Sequence, residues 1–330
     1  MVATRAAETL ENGRGFVIPY AAPVSTPPVH RAGDFDPAAL VDRRRAHRVD
    51  ISVCIPARDE QETIGAIVKT IRHDLMETHA LVDEIIVMDD SSNDATSDAA
   101  GAEGARVVPV RTVLPELGVS TGKGNALWRS VYESDGDIIV WIDADIRNFS
   151  SHFVTGLLGP LLTDDTVGFV KGCYRRPLGD APTGGGRVTE LVARPLLSMF
   201  FPDLVGIVQP LSGEYAARRI VAEAVPFIEG WGVETALLID VAARFGVDAI
   251  AQVDLDVREH RNRPLDQLSP QAYAILVTVL RRAGIDPSHD DVVDFTRLGL
   301  GRSIEHVAVT VGERPPMEGI PAYRDRHRPV

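Results

Sequence analysis

The stretch that most constrains the fold is an apolar run that ends in two carboxylates. The apolar residues 138–142 are followed by Asp143 and Asp145. A run of this length predicts a buried strand, and open α/β sheets bind ligands at the carboxyl ends of their strands. Two hard oxygen donors there suit Mg²⁺ or Mn²⁺, which takes further ligands from phosphate oxygens. The segment therefore predicts a divalent-metal site that holds a diphosphate.

Spacing alone does not single out this pair, because Asp-x-Asp occurs four times in the chain. The other three pairs are Asp34/Asp36, Asp135/Asp137 and Asp254/Asp256. The first lies in a proline-rich leader and the second in a glycine-containing turn, where carboxylates commonly cap or remain solvated. Only the pair at 143 and 145 ends a long apolar run and leads into a new element.

Composition and charge exclude several classes of partner. The 330 residues include 34 basic and 47 acidic side chains, a formal net charge of −13, which argues against nucleic acid or an anionic membrane surface as the main partner. Cys54 and Cys173 match no metal-binding spacing, so we expect reduced, buried thiols and a cytoplasmic protein.

No uninterrupted apolar run is long enough to span a membrane, so no stable membrane insertion is expected. The richest apolar stretch, residues 193–211, is interrupted by Pro195, Pro202 and Pro210. We interpret it as buried core, with docking to a membrane surface as the minor alternative.

Strand and helix patterns alternate from residue 50 onward. Strands are predicted at 51–56, 84–88, 106–110 and up to 143, with helices at 60–76 and 125–133 between them. Beyond residue 150 we expect helices at 152–162, 189–201, 233–245 and 270–283 and strands at 167–176 and 250–257. This alternation predicts an α/β fold with a doubly wound, mostly parallel sheet.

Four segments divide the chain. Residues 1–48 are predicted to be an irregular, proline-rich extension, 49–150 and 151–300 the two halves of the folded unit, and 301–330 a C-terminal tail.

Short motifs follow the predicted strand ends in a fixed order. They are Pro56-Ala57-Arg58-Asp59-Glu60, Asp89-Asp90-Ser91-Ser92-Asn93-Asp94, Gly122-Lys123-Gly124-Asn125-Ala126 and Asp143-Ala144-Asp145. In this order the chain resembles nucleotide-sugar glycosyltransferases of the GT-A fold. Three later segments resemble, more narrowly, the actinobacterial glucosyl-3-phosphoglycerate synthases: Gly184-Gly185-Gly186-Arg187-Val188-Thr189-Glu190-Leu191, Gly230-Trp231-Gly232-Val233-Glu234-Thr235 and Glu259-His260-Arg261-Asn262.

The resemblance assigns the first half to the nucleotide sugar and the second to the acceptor and catalysis. It implies donor binding by a set of residues: Pro56, Ala57, Glu60, Asp90, Lys123, Asp143, Ala144, Trp231, Glu234 and Arg258. It implies metal ligation by Asp143, Asp145 and His260. The expected catalytic residues are Glu234, Lys123 and Arg258.

Residue chemistry supports parts of this assignment and leaves plain alternatives open. Lys123 stands at a glycine-flanked helix start, where free N–H groups favour a diphosphate, although an exposed lysine in a turn would look the same. Glu60 and Glu234 would also serve as first-turn helix residues. His260 would serve as a structural histidine.

The triple glycine before Arg187 is the candidate acceptor site. Backbone amides exposed by glycine form an anion nest, and a guanidinium adds bidentate contacts; a flexible hinge is the alternative. The resemblance implies that Gly186, Arg187, Thr189 and Asn262 hold 3-phosphoglycerate.

The resemblance implies transfer of glucose from UDP-glucose to 3-phospho-D-glycerate, giving glucosyl-3-phosphoglycerate and UDP with retention of configuration. Mg²⁺ is the expected cofactor, with Mn²⁺ as an alternative, and a homodimer is expected. The implied context is an early step of methylglucose lipopolysaccharide synthesis. Two other functions remain open: an inverting transferase acting on a polyprenyl phosphate, and a non-catalytic nucleotide-sugar sensor.

Overall fold

The core is a single mixed β-sheet. The computed structural model describes residues 26–178, 181–184, 186–259, 264–286, 288–299 and 301–327. Their strands are β1 Val29–Arg31, β2 Ile51–Ala57, β3 Glu84–Asp89, β4 Arg106–Pro109, β5 Ile138–Trp141, β6 Phe169–Arg175, β7 Pro177–Leu178, β8 Ala181–Gly184, β9 Tyr215–Arg218, β10 Phe227–Ile228, β11 Ile250–Val257, β12 Val292–Leu298, β13 Ile304–Thr310 and β14 Glu313–Arg314. Eight of these form the central sheet in the order β1-β11-β6-β9-β5-β2-β3-β4.

Helices cover both faces of this sheet. They are α1 Pro37–His47, α2 Ile64–Ile71, α3 Thr96–Ala102, α4 Lys123–Glu133, α5 His152–Thr163, α6 Arg194–Phe200, α7 Arg219–Ala222, α8 Val233–Phe245, α9 Leu265–Arg282 and α10 Pro321–Arg326. Wider π-helical turns, Arg72–Thr78 and Thr189–Ala193, follow α2 and precede α6.

Alternate residues of the central strands feed two separate cores. On β5, Val140 packs in the core that also holds α2 and α5, whereas Ile139 and Trp141 pack with α4 and α8 on the other face. This division follows from the two-residue period of a strand. Apolar residues throughout β5 thus explain why the strand is buried on both sides.

The predicted doubly wound α/β fold is confirmed, and most elements lie within a few residues of their predicted bounds. The helix predicted at 60–76 begins at Ile64 instead, because Asp59 takes a left-handed conformation with φ 56° and the Glu60 N–H donates to Thr96 Oγ1 at 2.8 Å. The chain therefore turns once more before the helix starts.

Strand β9 was not predicted from the sequence. It runs antiparallel between β5 and β6, pairing Trp141 with Tyr215 and Lys171 with Tyr215. Its four residues, Tyr-Ala-Ala-Arg, are too few and too weakly apolar to give a strand signal. All other neighbouring pairs in the central sheet are parallel.

The predicted irregular extension at 1–48 is wrong for its described part. β1 pairs in parallel with β11, and α1 begins at Pro37 behind Asp36, whose carboxylate accepts the Ala39 N–H at 3.0 Å. An aspartate cap followed by proline is a standard helix start. Residues 29–47 are therefore part of the domain.

The boundary predicted at 300 and 301 is also wrong, because it falls inside a hairpin. β12 pairs with β13 from Val292↔Thr310 to Leu298↔Ile304, and β14 then pairs with β10. The predicted tail thus contains strands that pack on the rest of the chain. Across the described residues, no helix is both long and apolar enough to cross a bilayer.

Gly159→Ala tests the docking of the N-terminal segment. A Cβ at Gly159 would lie 2.3 Å from the ring of Phe35, so the substitution overpacks the contact between α5 and this segment. We expect a loss of about 1–2 kcal/mol in the free energy of unfolding, measured by chemical denaturation. Gly33→Ala, where a Cβ would meet nothing within 4 Å, is the matched control; equal stability of both variants would contradict this packing.

Candidate active site

The parallel strands bring the predicted site residues to one edge of the sheet. Asp143 and Asp145 follow β5, Asp90 follows β3, and Arg258 follows β11. Because these strands are parallel, their carboxyl ends open on the same side. The fold therefore gathers residues that are separated by more than 160 positions in sequence.

Arg258 joins the two carboxylates after β5. Its Nη2 lies 2.9 Å from Asp143 Oδ2 and 2.6 Å from Asp145 Oδ1. Its Nε lies 3.1 Å from Glu214 Oε1, and the Arg258 side chain is only 4% exposed. One nitrogen in reach of both carboxylates shows that Asp143 and Asp145 converge on a single point where a cation fits.

Lys123 completes the ion network from the other side. Its Nζ lies 2.5 Å from Asp143 Oδ1 and 2.7 Å from Glu234 Oε1. Lys123 is the first residue of α4, and Glu234 lies in the first turn of α8. Two helix starts therefore face the carboxyl end of β5, and both are favourable environments for a ligand anion.

Burial and charge compete in this network. Burial alone lowers the pKa of Lys123, but Asp143 and Glu234 raise that pKa well above its ordinary value. Burial likewise raises the pKa of Asp143, yet Lys123 and Arg258 outweigh it and hold the pKa far below its usual range. The aspartate is thus an anion and the lysine a cation throughout the neutral pH range.

The first two strands form the other end of the site. The Asp90 N–H donates to Ala57 O at 2.9 Å, and Asp90 Oδ2 accepts the Gly122 N–H at 2.9 Å. Burial raises the pKa of Asp90 above its ordinary value. Pro56 and Glu60 flank Ala57 at the end of β2 and are partly exposed. Asp90 therefore connects the β2 end to the turn that carries Lys123.

Some of the predicted acceptor residues lie within the described part of the chain. Gly186 has φ +80°, a left-handed conformation that favours glycine, and Thr189 is 5% exposed. Arg187 stands between them and is partly exposed. Trp231, just before α8, is 40% exposed. His260 and Asn262 lie outside the described residues.

Four buried polar residues beneath the site were missed in the sequence. Tyr215 is the first residue of β9, and Glu214 is the residue before it. Lys171 and Tyr174 belong to β6. Arg258 Nη1 donates to Tyr174 OH at 3.3 Å, and Lys171 Nζ donates to Ser212 O at 2.7 Å. The signal that could have found them is a charged residue within an apolar run, such as Lys171. Glu214 and Tyr215 were harder to find because β9 itself was not predicted.

The donor set fits a divalent cation. In the described part of the chain, no group of three His, Cys, Asp or Glu side chains encloses a metal. Asp143 and Asp145 nevertheless converge, and Gly213 lies so close that a Cβ there would be 1.9 Å from Asp143 Oδ2. Two carboxylates with an open side suit an ion that takes its other ligands from phosphate oxygens.

Comparisons with known proteins agree with this geometry. A family model described as "Glycosyl transferase family 2" matches residues 52–203. Fold and site together define a glycosyltransferase. The glucosyl-3-phosphoglycerate synthase of Petrotoga mobilis is 45% identical over 298 residues, which cover 87% of this chain and 92% of that relative. The chain belongs to the glucosyl-3-phosphoglycerate synthase family.

Solved structures give the same result. A crystal structure of glucosyl-3-phosphoglycerate synthase from Mycobacterium tuberculosis, in complex with Mn²⁺, UDP-glucose and phosphoglyceric acid, matches with a TM-score of 0.79 and 45% identity, covering 90% of this chain and 99% of that one. Mannosyl-3-phosphoglycerate synthase from Rubrobacter xylanophilus matches with a TM-score of 0.81 and 36% identity, covering 89% and 97%.

Lys171→Met tests the buried charge beneath the site. Burial lowers the pKa of Lys171 to about 7, from 10.5 in the unfolded chain. The free-energy cost of burying the charged lysine is fully present below pH 7. This cost disappears as pH rises from 7 toward 10.5, because the folded state then holds the lysine neutral. The stability of Lys171→Met relative to wild type should therefore fall by about 2 kcal/mol between pH 7 and 9, measured by chemical denaturation.

Lys69→Met, which removes an exposed lysine of α2, is the control and should show no such slope. Parallel stability curves for Lys171→Met and wild type across this pH range would rule out a buried lysine with a lowered pKa.

Proposed function

We propose that this protein transfers glucose from UDP-glucose to 3-phospho-D-glycerate in a reaction that depends on a divalent metal. The observation that carries the proposal is the convergence of Asp143 and Asp145 at the end of β5, opposite Lys123. Membership of the family adds the substrates, because a related structure holds Mn²⁺, UDP-glucose and phosphoglyceric acid together.

The donor binds at the carboxyl ends of β2, β3 and β5. Ala57, Glu60 and Asp90 surround the nucleoside, with Pro56 at the strand end. Lys123, already close to Asp143 at 2.5 Å, faces the diphosphate at the start of α4. Asp143, Ala144 and Trp231 complete the donor side.

The acceptor binds at Gly186, Arg187 and Thr189, with Asn262 as a further contact. A guanidinium beside a glycine in the left-handed conformation brings a permanent charge and backbone N–H groups close together, which suits a phosphate. Because the whole chain carries a net charge of −13, a local cation is needed to hold a three-carbon acid that bears a phosphate and a carboxylate.

The reaction replaces one bond at the anomeric carbon. The hydroxyl of the acceptor attacks from the face of the leaving group, the bond to the diphosphate breaks, and a diphosphate oxygen takes the proton. Lys123 and Arg258 stabilise the charge on the departing UDP, and Glu234, fixed by Lys123 at 2.7 Å, orients the sugar hydroxyls. The product retains the configuration of the donor.

The cation and the setting complete the proposal. Asp143 and Asp145, with His260, would hold a divalent cation, which would supply Lewis-acid charge to the leaving group. We propose Mg²⁺ as the ion, with Mn²⁺ as the alternative, because both take carboxylate and phosphate oxygens as ligands and a related structure holds Mn²⁺. A cytoplasmic homodimer that supplies methylglucose lipopolysaccharide synthesis is part of the same proposal; Cys54 and Cys173 are free and buried, as a reducing compartment requires.

The decisive experiment measures UDP release across a matrix of donors and acceptors. UDP-glucose with 3-phosphoglycerate should be the most efficient pair, and chelation should abolish release. The matrix includes a mannosyl donor because a mannosyl-3-phosphoglycerate synthase shares the fold. It also includes a polyprenyl phosphate in liposomes. Donor binding without UDP release from any pair would favour the sensor function instead.

Asp145→Ala should lower metal-dependent turnover by at least about a hundredfold while the fold is kept, because one of two carboxylate ligands is lost. Asp135→Ala, from another Asp-x-Asp pair with 70% of the side chain exposed, is the matched control. Full activity of Asp145→Ala would remove this metal assignment.

Arg187→Ala tests the acceptor site separately. Loss of the guanidinium should raise the KM for 3-phosphoglycerate by about tenfold or more and leave the KM for UDP-glucose within about twofold. Arg194→Ala, which removes a nearby arginine paired with Glu190 at 2.7 Å, should change neither. Equal effects of Arg187→Ala on both KM values would place this loop outside the acceptor site.

A further inference from the structure

The turn that carries Lys123 packs directly against another part of the backbone. A Cβ at Gly124 would lie 1.7 Å from Ile228 O, and one at Gly122 would lie 2.7 Å from Glu229 O. The Asn125 N–H donates to Glu229 O at 3.1 Å. The start of α4 therefore takes its position from residues 228 and 229, not only from its own sequence.

Those residues are held by the C-terminal part of the chain. β14 pairs with β10, with Ile228 opposite Glu313 and Phe227 opposite Arg314. The Glu229 N–H donates to Gly312 O at 2.9 Å. From the other side, the indole of Trp128 on α4 donates to Pro315 O at 2.8 Å.

Arg314 reaches from β14 into the loop that leads to Lys123. We call residues 114–122 the lysine loop. Arg314 Nη1 donates to Leu117 O, Nη2 donates to Ser120 Oγ at 2.9 Å, and Nε lies 2.6 Å from Glu229 Oε1. Ser120 Oγ in turn donates to Glu229 Oε1 at 2.8 Å. One guanidinium thus joins the loop to the segment on which α4 rests.

A second buried arginine holds the same loop. Arg129, fully buried on α4, donates from Nη2 to Gly118 O at 2.6 Å and from Nη1 to Leu114 O at 3.2 Å. Its Nε donates to Asn125 Oδ1 at 3.1 Å, and Asn125 Nδ2 donates to Ser120 O at 2.8 Å. The carbonyls of Leu114, Leu117 and Gly118 therefore have charged donors as partners, and that of Ser120 has the Asn125 amide.

The lysine loop connects the two ends of the donor site. Its last residue, Gly122, donates its N–H to Asp90, and the next residue, Lys123, contacts Asp143 and Glu234. A shift of the loop would move both contacts together. Residues that fix the loop thus act on the nucleotide end and the diphosphate end of the site without touching either.

We propose that Arg314 is a positioning residue for donor binding, and that β14 is thereby an integral part of the donor site. The proposal rests on the proposed function, since it assigns the lysine loop to the nucleotide sugar. The fork of the guanidinium matters, because it joins a carbonyl, a hydroxyl and a carboxylate that a single ammonium does not hold at once.

Arg314→Lys tests this proposal because it keeps the charge and removes the fork. We expect the KM for UDP-glucose to rise by at least about fivefold and the KM for 3-phosphoglycerate to stay within about twofold. Ser120→Ala, a milder change that removes the hydroxyl between Arg314 and Glu229, should shift the KM for UDP-glucose in the same direction by about twofold to threefold. Ser120→Ala also keeps the test valid if Arg314→Lys fails to fold.

Arg219→Lys is the matched control. Arg219 holds three backbone carbonyls at the other end of α4, at 3.0 Å from Val131, 2.8 Å from Ser134 and 2.7 Å from Gly136. Its loss should lower the melting temperature and leave the KM for UDP-glucose within about twofold. An unchanged KM for UDP-glucose in Arg314→Lys, or equal increases in both KM values, would overturn the proposal.

Hydrogen–deuterium exchange separates this proposal from the proposed function. Amides of residues 114–125 should exchange faster in Arg314→Lys than in wild type or Arg219→Lys. Unchanged exchange in that segment would overturn the positioning role whatever the activity. A wild-type chain that releases no UDP would overturn the proposed function, while the exchange result would still report on the loop.

Discussion

The site depends on charges that are buried together at the carboxyl edge of the sheet. Asp143 contacts both Lys123 and Arg258, and Arg258 also reaches Glu214, which is fully buried. Burying one such ion alone would cost several kcal/mol. Removing one partner of a buried pair is costly for the same reason, because the other charge is left buried without compensation. Each member therefore fixes the others. The arrangement keeps Asp143 ionised and holds Asp143 and Asp145 convergent, which is the geometry in which two carboxylates bind a cation and, through it, a diphosphate.

The antiparallel strand β9 makes this network physically possible. Because it runs opposite to β5 and β6, its first residue, Tyr215, lies beside the end of β5, and Glu214 just before it reaches Arg258. A parallel strand at the same place would direct its first residues to the opposite edge. Gly213 allows the same segment to lie directly against Asp143. The antiparallel direction of β9 thus places Glu214 and Tyr215 beneath the site.

The sequence predicted the parts of the site that follow strong local patterns. Asp143 and Asp145 end an apolar run, Lys123 stands between two glycines, and Arg258 follows the β11 strand, whose bounds were predicted as they are found. Glu214 and Lys171 were missed because a charged residue in a short or apolar strand gives no local sign of its partner. Arg314 was assigned to a tail, although it lies 10% exposed against Glu229. Pairings over such separations are decided by packing, which no local pattern records.

The sequence by itself determined the alternation of strands and helices, the carboxyl-edge position of the candidate ligands and, through its motifs, the family. Hydrophobic periodicity and the placement of glycines are patterns of a few neighbouring residues, so they can be recognised in the sequence alone. Only the tertiary structure decided that β1 and α1 belong to the domain, that β9 lies between β5 and β6, and that β14 supports the turn of Lys123. The physical reason is that buried charges and backbone groups take whichever partners the folded chain brings within reach, and those partners come from segments that are distant in sequence.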